Sequence, residues 1–335
     1  MKIIRIFFEK YDGLFPATVL TLSAIICFCC YRYFKWSEGY WAVITVAAVT
    51  QDKVHNTIIK VILRSSGTII GAGIGYLFVI ALPKILFFPI FFLGMFLAVL
   101  LTLAATKYRY MMIIAGLTFS LVAAAGITDH VVEIAIERTY EVIFGCLVCF
   151  IVSLLLQRLA PHMKGEKQAM SLSFIFHHGM IIEAVLMSAA CALTFFTWQW
   201  FKYPLGFWAT ITCLFVLEEN LGHTIKNAWK RIKAHIVITA FASIVALFIT
   251  AENNLILLPL AIGLFICGYY LGQNTWLSPM ANTMGVALSV VLLVEVPNLT
   301  QFEVVLARFL NVMYGSSVAF IIMYIGSQCN RYQAK

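Results

Sequence analysis

Charge is scarce in this sequence. Asp, Glu, Lys and Arg make up 11% of its 335 residues, against 62% that are apolar. Long polar intervals are missing as well, because apolar runs follow one another from Leu14 to Gly326. Ordinary soluble domains carry about 25% charged residues, and a mean hydropathy of +0.94 excludes that class, so the bilayer is read as the solvent. Almost nothing in these residues is left over for a soluble domain. Catalytic motifs are absent too: there is no G-x-S-x-G, no Walker A loop, no H-E-x-x-H and no convergent carboxylate pair. The chain is therefore read as no enzyme, with no cofactor and no ATP hydrolysis of its own. If it pumps, an ion gradient drives it.

The 9 cysteines lie mostly inside apolar runs, where they act as small hydrophobes. Cys146 and Cys149 form a C-x-x-C within one such run, with no second Cys or His pair at metal-ligand spacing, so no metal site is expected. A net charge of +8 could suit nucleic acid, but the basic residues are scattered over loops and form no basic face. Lys2, Arg5 and Lys10 precede an apolar stretch as in a signal peptide. The following Cys27-Phe28-Cys29-Cys30-Tyr31-Arg32-Tyr33 offers no small-residue cleavage site, so a retained first helix is expected.

Crossing a bilayer takes about 20 residues of helix, and the apolar runs are too long for the roughly ten-residue strands of an outer-membrane barrel. With Gly, Pro and charges as boundaries, the sequence predicts an all-α integral membrane protein of about twelve transmembrane helices. The segments 39–51 and 205–217 are short, and helices are expected to follow them over 65–82 and 234–251. Placing the amino terminus in the cytoplasm leaves only Arg32, Lys35, Lys84, Arg138, Lys202 and Arg308 outside. All other Lys and Arg then fall inside, so both termini are expected in the cytoplasm.

Slid against itself, the chain aligns Gly39-Tyr40-Trp41-Ala42-Val43-Ile44-Thr45 with Gly206-Phe207-Trp208-Ala209-Thr210-Ile211-Thr212. The same offset pairs Arg64 with Arg231. A slightly larger one pairs Arg138…Gly145 with Arg308…Gly315. The expected organisation is a first six-helix repeat over 1–160, a short cytoplasmic linker over 161–180 and a second repeat over 181–335. An even number of helices makes these parallel repeats, with a pseudo-two-fold axis along the membrane normal. Short segments at matching positions of two halves point to a binding region.

Helical spacing then picks out the residues that could carry chemistry. Lys53, Asn56, Lys60 and Arg64 fall on one stripe, and Asn220, His223, Asn227 and Arg231 repeat it. Facing a common axis, the stripes would form a cytoplasmic funnel whose Arg forks suit carboxylates; equally, long basic side chains can snorkel to headgroups. Trp41 and Trp208 open the short segments, either as belt anchors or as a stacking surface for a planar substrate. Thr45 and Thr212, one turn deeper, can donate hydroxyls outward or close on the carbonyl one turn back. Arg138 and Arg308 open the last helix of each half and are followed by Glu141 or Asn311. Glu141 is the candidate proton-coupled carboxylate, its alternative being a plain ion pair with Arg138.

The segment Gly39-Tyr40-Trp41-Ala42-Val43-Ile44-Thr45, followed by Lys60-Val61-Ile62-Leu63-Arg64-Ser65-Ser66-Gly67-Thr68-Ile69-Ile70-Gly71, resembles the signature of the fusaric-acid-resistance and aromatic-acid-exporter superfamily. Plant aluminium-activated malate transporters share this type of segment. The second half carries a weaker copy, with Ala234-His235 where the signature has Gly-Thr after the arginine. The resemblance implies a proton-driven exporter of aromatic or other small organic anions in a bacterial-type inner membrane, with Lys60, Arg64 and Arg231 facing the anion. It also implies a periplasmic adaptor as a protein partner, and leaves oligomeric state open. Many bacterial members carry a sizeable cytoplasmic domain between the halves, where only Ala160 to Met180 stands here. An anion channel and a non-transporting membrane scaffold or assembly factor are the alternative readings.

Overall fold

The computed structural model describes residues 11–81, 87–105, 107–125, 131–165, 174–176, 179–218 and 221–333. Lys2, Arg5, Lys10, Lys84, Lys167 and Lys335 of the charge bias, Asn220 of the second stripe and much of the expected linker lie outside them. Among the described residues the chain forms 12 α-helices. In chain order they are α1 (Leu14–Phe34), α2 (Tyr40–Val49), α3 (Val54–Ala81), α4 (Phe87–Ala104), α5 (Arg109–Ala125), α6 (Val131–Gln157), α7 (Gly179–Phe201), α8 (Phe207–Val216), α9 (Leu221–Ala246), α10 (Leu257–Leu271), α11 (Ala281–Leu293) and α12 (Gln301–Gln333).

Among the described residues seven helices are long and apolar enough to cross a membrane, and they coincide with α1, α3, α4, α6, α7, α10 and α12. The protein is a multi-pass membrane protein. The helices that carry the expected spans 65–82 and 234–251 start earlier, α3 at Val54 and α9 at Leu221, so Asn56, Lys60 and Arg64 belong to α3 and His223, Asn227 and Arg231 to α9. At 1.5 Å per residue, α2 and α8 are about 15 Å long, half of a roughly 30 Å hydrocarbon layer.

What stops the short helices is a break resolved the same way twice. At Thr50 and Leu217 the backbone turns extended, with ψ 133° and 132°. The Gln51 N–H then donates to Thr57 Oγ1 at 3.0 Å, and the Glu218 N–H donates to Thr224 Oγ1 at 3.0 Å. Each threonine sits in the first turn of the next helix. Its hydroxyl satisfies backbone that the break would leave exposed, which a lipid surrounding does not forgive.

The chain divides into two compact units. One holds Met1–Ser65, Glu137–Ala169 and Ala234–Leu306; the other holds Ser66–Ile136, Met170–Lys233 and Ala307–Lys335. Each therefore draws on both of the stretches that the sequence sets out as repeats. In the first unit α1 packs on α10, α11 packs on α2, and α10 packs on α11. Its core runs through Phe15, Val46, Cys149, Ile238, Leu264 and Leu288. In the second unit α4 packs on α5 and α7, and α8 contacts α5 and α7. An aromatic cluster fills it, with Phe91 stacked on Phe195 at 4.1 Å and on Phe119 at 5.8 Å.

Candidate functional site: two buried Trp–Arg stacks

Each short helix begins at a glycine and places a tryptophan in its first turn. Trp41 and Trp208 are buried, 1% and 2% exposed, which removes the belt reading, since a belt side chain lies at the lipid–water boundary. In the first unit the Arg138 guanidinium lies 4.1 Å from the Trp41 ring centroid; in the second, Arg308 lies 4.1 Å from that of Trp208. Both distances are well inside the range of a cation–π contact, and burial strengthens it. The face that a planar substrate would use on either indole is thus covered by an arginine of the same unit.

Glycines permit this approach. Seven residues after each arginine, Gly145 and Gly315 face the backbone of Ala42 and Ala209, and a Cβ at either would run into that alanine's carbonyl oxygen. Only a bare Cα lets α6 close on α2 and α12 close on α8.

The two stacks differ in their acid. Arg138 forms an ion pair with Glu38, the residue before the Gly39 helix start. Glu141 lies within electrostatic reach of Arg138 without forming a salt bridge to it: it is 2% exposed, accepts from the backbone N–H of Glu38 and, among the described residues, leaves Oε2 without a hydrogen bond. In the second unit the corresponding positions are Leu205 and Asn311, and Asn311 donates to the Pro204 carbonyl at 3.0 Å. Arg308 is 0% exposed, and among the described residues its Nε and both terminal nitrogens have no hydrogen-bond partner.

The other predicted residues fall into place around the breaks. Along α3 the stripe grades from exposed Asn56 through half-buried Lys60 to buried Arg64. Arg231 on α9 is half-buried and lies 5.1 Å from the Phe215 ring. Thr45 and Thr212 are fully buried, and among the described residues their hydroxyls form no hydrogen bond, whereas Thr50 does close on the Val46 carbonyl at 2.8 Å.

Three contributors escaped the sequence reading. Glu38 could have been noticed as an acid beside a helix start, where a carboxylate is favoured. Asn282 on α11 donates to the Ala47 and Thr50 carbonyls at 2.9 and 2.8 Å, capping α2. Arg109 at the start of α5 reaches the Leu217 carbonyl at 3.3 Å and pairs with Glu218 at 2.5 Å at the end of α8. Neither cap has a local signal, because donor and helix end are far apart in the chain. The second unit also contains an apolar cavity of about 410 Å³ between α9 and α12, lined by Ile225, Trp229, Ile232, Ser316 and Phe320 among others.

No curated protein matches the chain, and no solved structure does. The family model described as fusaric acid resistance protein-like matches residues 25–152 and 171–322, spanning both short helices and both Trp–Arg stacks. The chain thus belongs to the fusaric acid resistance protein-like family.

Proposed function

We propose that the protein is a proton-driven secondary exporter of small organic anions such as aromatic carboxylic acids, built as two parallel six-helix repeats. It acts without enzymatic chemistry, in a bacterial-type inner membrane with both termini in the cytoplasm. One observation carries the reading. Besides His235, the charged side chains that are buried among the described residues are Arg64, Arg138, Arg308 and Glu141. Cations outnumber acids in the interior, and in a medium of low polarity such a surplus attracts anions and repels cations. Family membership supports a transport role.

Within this reading Arg64 and Arg231, each following a helix break, meet the carboxylate on its path, with Lys60 beside Arg64. Thr45 and Thr212 supply hydroxyl donors. Glu141, buried with one oxygen free of hydrogen bonds, carries the proton. The decisive experiment reconstitutes the purified chain into liposomes and follows labelled benzoate across an imposed pH step. Flux that rises with the pH difference is expected; its absence for every aromatic carboxylate tried defeats the reading. Current through a single molecule with no proton dependence would instead assign an anion channel.

A further inference from the structure

We infer that the Arg308–Trp208 stack of the second unit is an anion-binding site, and that Glu38 occupies the equivalent seat in the first unit as a built-in ligand. The inference rests on the transport reading for its physiological ligand, a monocarboxylate, but not for the binding itself.

Both seats have the same foundation: a guanidinium 4.1 Å from an indole that lies in the first turn of a ten-residue helix. The positive end of that helix adds to the charge of the arginine. In the first unit the sum is balanced, since the Glu38 carboxylate is held on Arg138. Glu38 thereby shows what the seat accepts: a carboxylate at the guanidinium, next to an aromatic ring.

Among the described residues of the second unit no acid pairs with Arg308. Arg308 is 0% exposed, among the described residues all three of its nitrogens lack hydrogen-bond partners, and Leu205 and Asn311 stand where Glu38 and Glu141 stand in the first unit. Arg231 adds a like charge within electrostatic reach. A buried guanidinium presents five donors and cannot shed its charge, so leaving it without an acceptor is costly. The stack with Trp208 offsets part of that cost but satisfies no N–H. An anion of one carboxylate, or a halide of similar reach, completes the site.

The test is calorimetric titration of benzoate, and separately of chloride, into the purified full-length chain in detergent, in buffer free of halide and carboxylate. The wild type should bind a single equivalent. Arg308→Gln should lose it, with affinity down at least roughly tenfold, and Glu38→Gln should gain a second equivalent by vacating the first seat. Unchanged binding in Arg308→Gln, a wild type that binds neither anion, or a Glu38→Gln protein still limited to one equivalent would each overturn the inference. Should Arg308→Gln fail to fold, the stoichiometry of Glu38→Gln decides alone. Binding in this pattern by a protein that shows no carboxylate flux in liposomes would end the transport reading and leave the site; flux without binding would do the reverse.

Discussion

A guanidinium buried on an indole and a glycine seven residues later form one device, and single residues in it have calculable weight. Replacing Gly315 by Leu drives a side chain into the Ala209 carbonyl, and overpacking of this kind costs about 1–3 kcal/mol. Gly73 lies in α3 with nothing within 4 Å of where its Cβ would be. Gly73→Ala should therefore leave stability unchanged or raise it by up to about 1 kcal/mol, the difference in helix propensity. Thermal unfolding in detergent compares the two; equal melting temperatures would remove Gly315 from the device. For function, Arg64→Ala and Arg231→Ala should each cut benzoate flux by at least roughly tenfold, about 1.4 kcal/mol of lost interaction, while chains stay folded. Glu141→Gln should keep exchange of labelled benzoate but abolish accumulation driven by a pH step. Equal accumulation by the variant and the wild type would remove Glu141 from proton coupling.

At the scale of elements, the breaks after α2 and α8 decide where polar backbone can exist in an apolar protein. Helix ends leave carbonyls without partners, and here they are met by caps distant in the chain: Asn282 for α2, Arg109 for α8. Asn282→Leu removes the donor to the Ala47 carbonyl and leaves the Thr50 carbonyl to Gln51 Nε2, and should cost about 1–3 kcal/mol, the penalty for a buried acceptor left unsatisfied. A melting temperature equal to wild type would mean that another group satisfies the Ala47 carbonyl. The positions of α2 and α8 were legible from Gly39-Tyr40-Trp41 and Gly206-Phe207-Trp208. Their ends were foreshadowed by Gln51-Asp52-Lys53 and Glu218-Glu219-Asn220. Their caps were not, since hydropathy and helical period describe one stretch of chain and a cap is a meeting of two.

On the scale of the whole molecule, the sequence halves and the compact units are different divisions. Four of the five unit boundaries fall within helices, in α3, α6, α9 and α12. Each unit needs helices from both halves of the sequence: α1 and α2 pack with α10 and α11, while α4 and α5 pack with α7 and α8. Residues 1–165 and 166–335, expressed apart, should each lack a complete unit, be protease-sensitive and aggregate. Expressed together, they should yield a complex that resists protease and elutes at the size of the intact chain. A half that is compact alone would contradict this account.

The bilayer as solvent, the helical class and most of the candidate residues were legible along the chain. Scarcity of charge, run length and a repeated Gly-aromatic-Trp pattern are one-dimensional facts, and burial in lipid translates them directly into helices. Tertiary structure alone decided which acid each arginine meets. Arg138 and Arg308 read alike in sequence, each opening a helix with a glycine seven residues on. Glu38 neutralises the first, and no described residue does so for the second. That difference is set by which side chains the packing of α6 on α2 and of α12 on α8 brings within hydrogen-bond reach, and no periodicity along the chain encodes it.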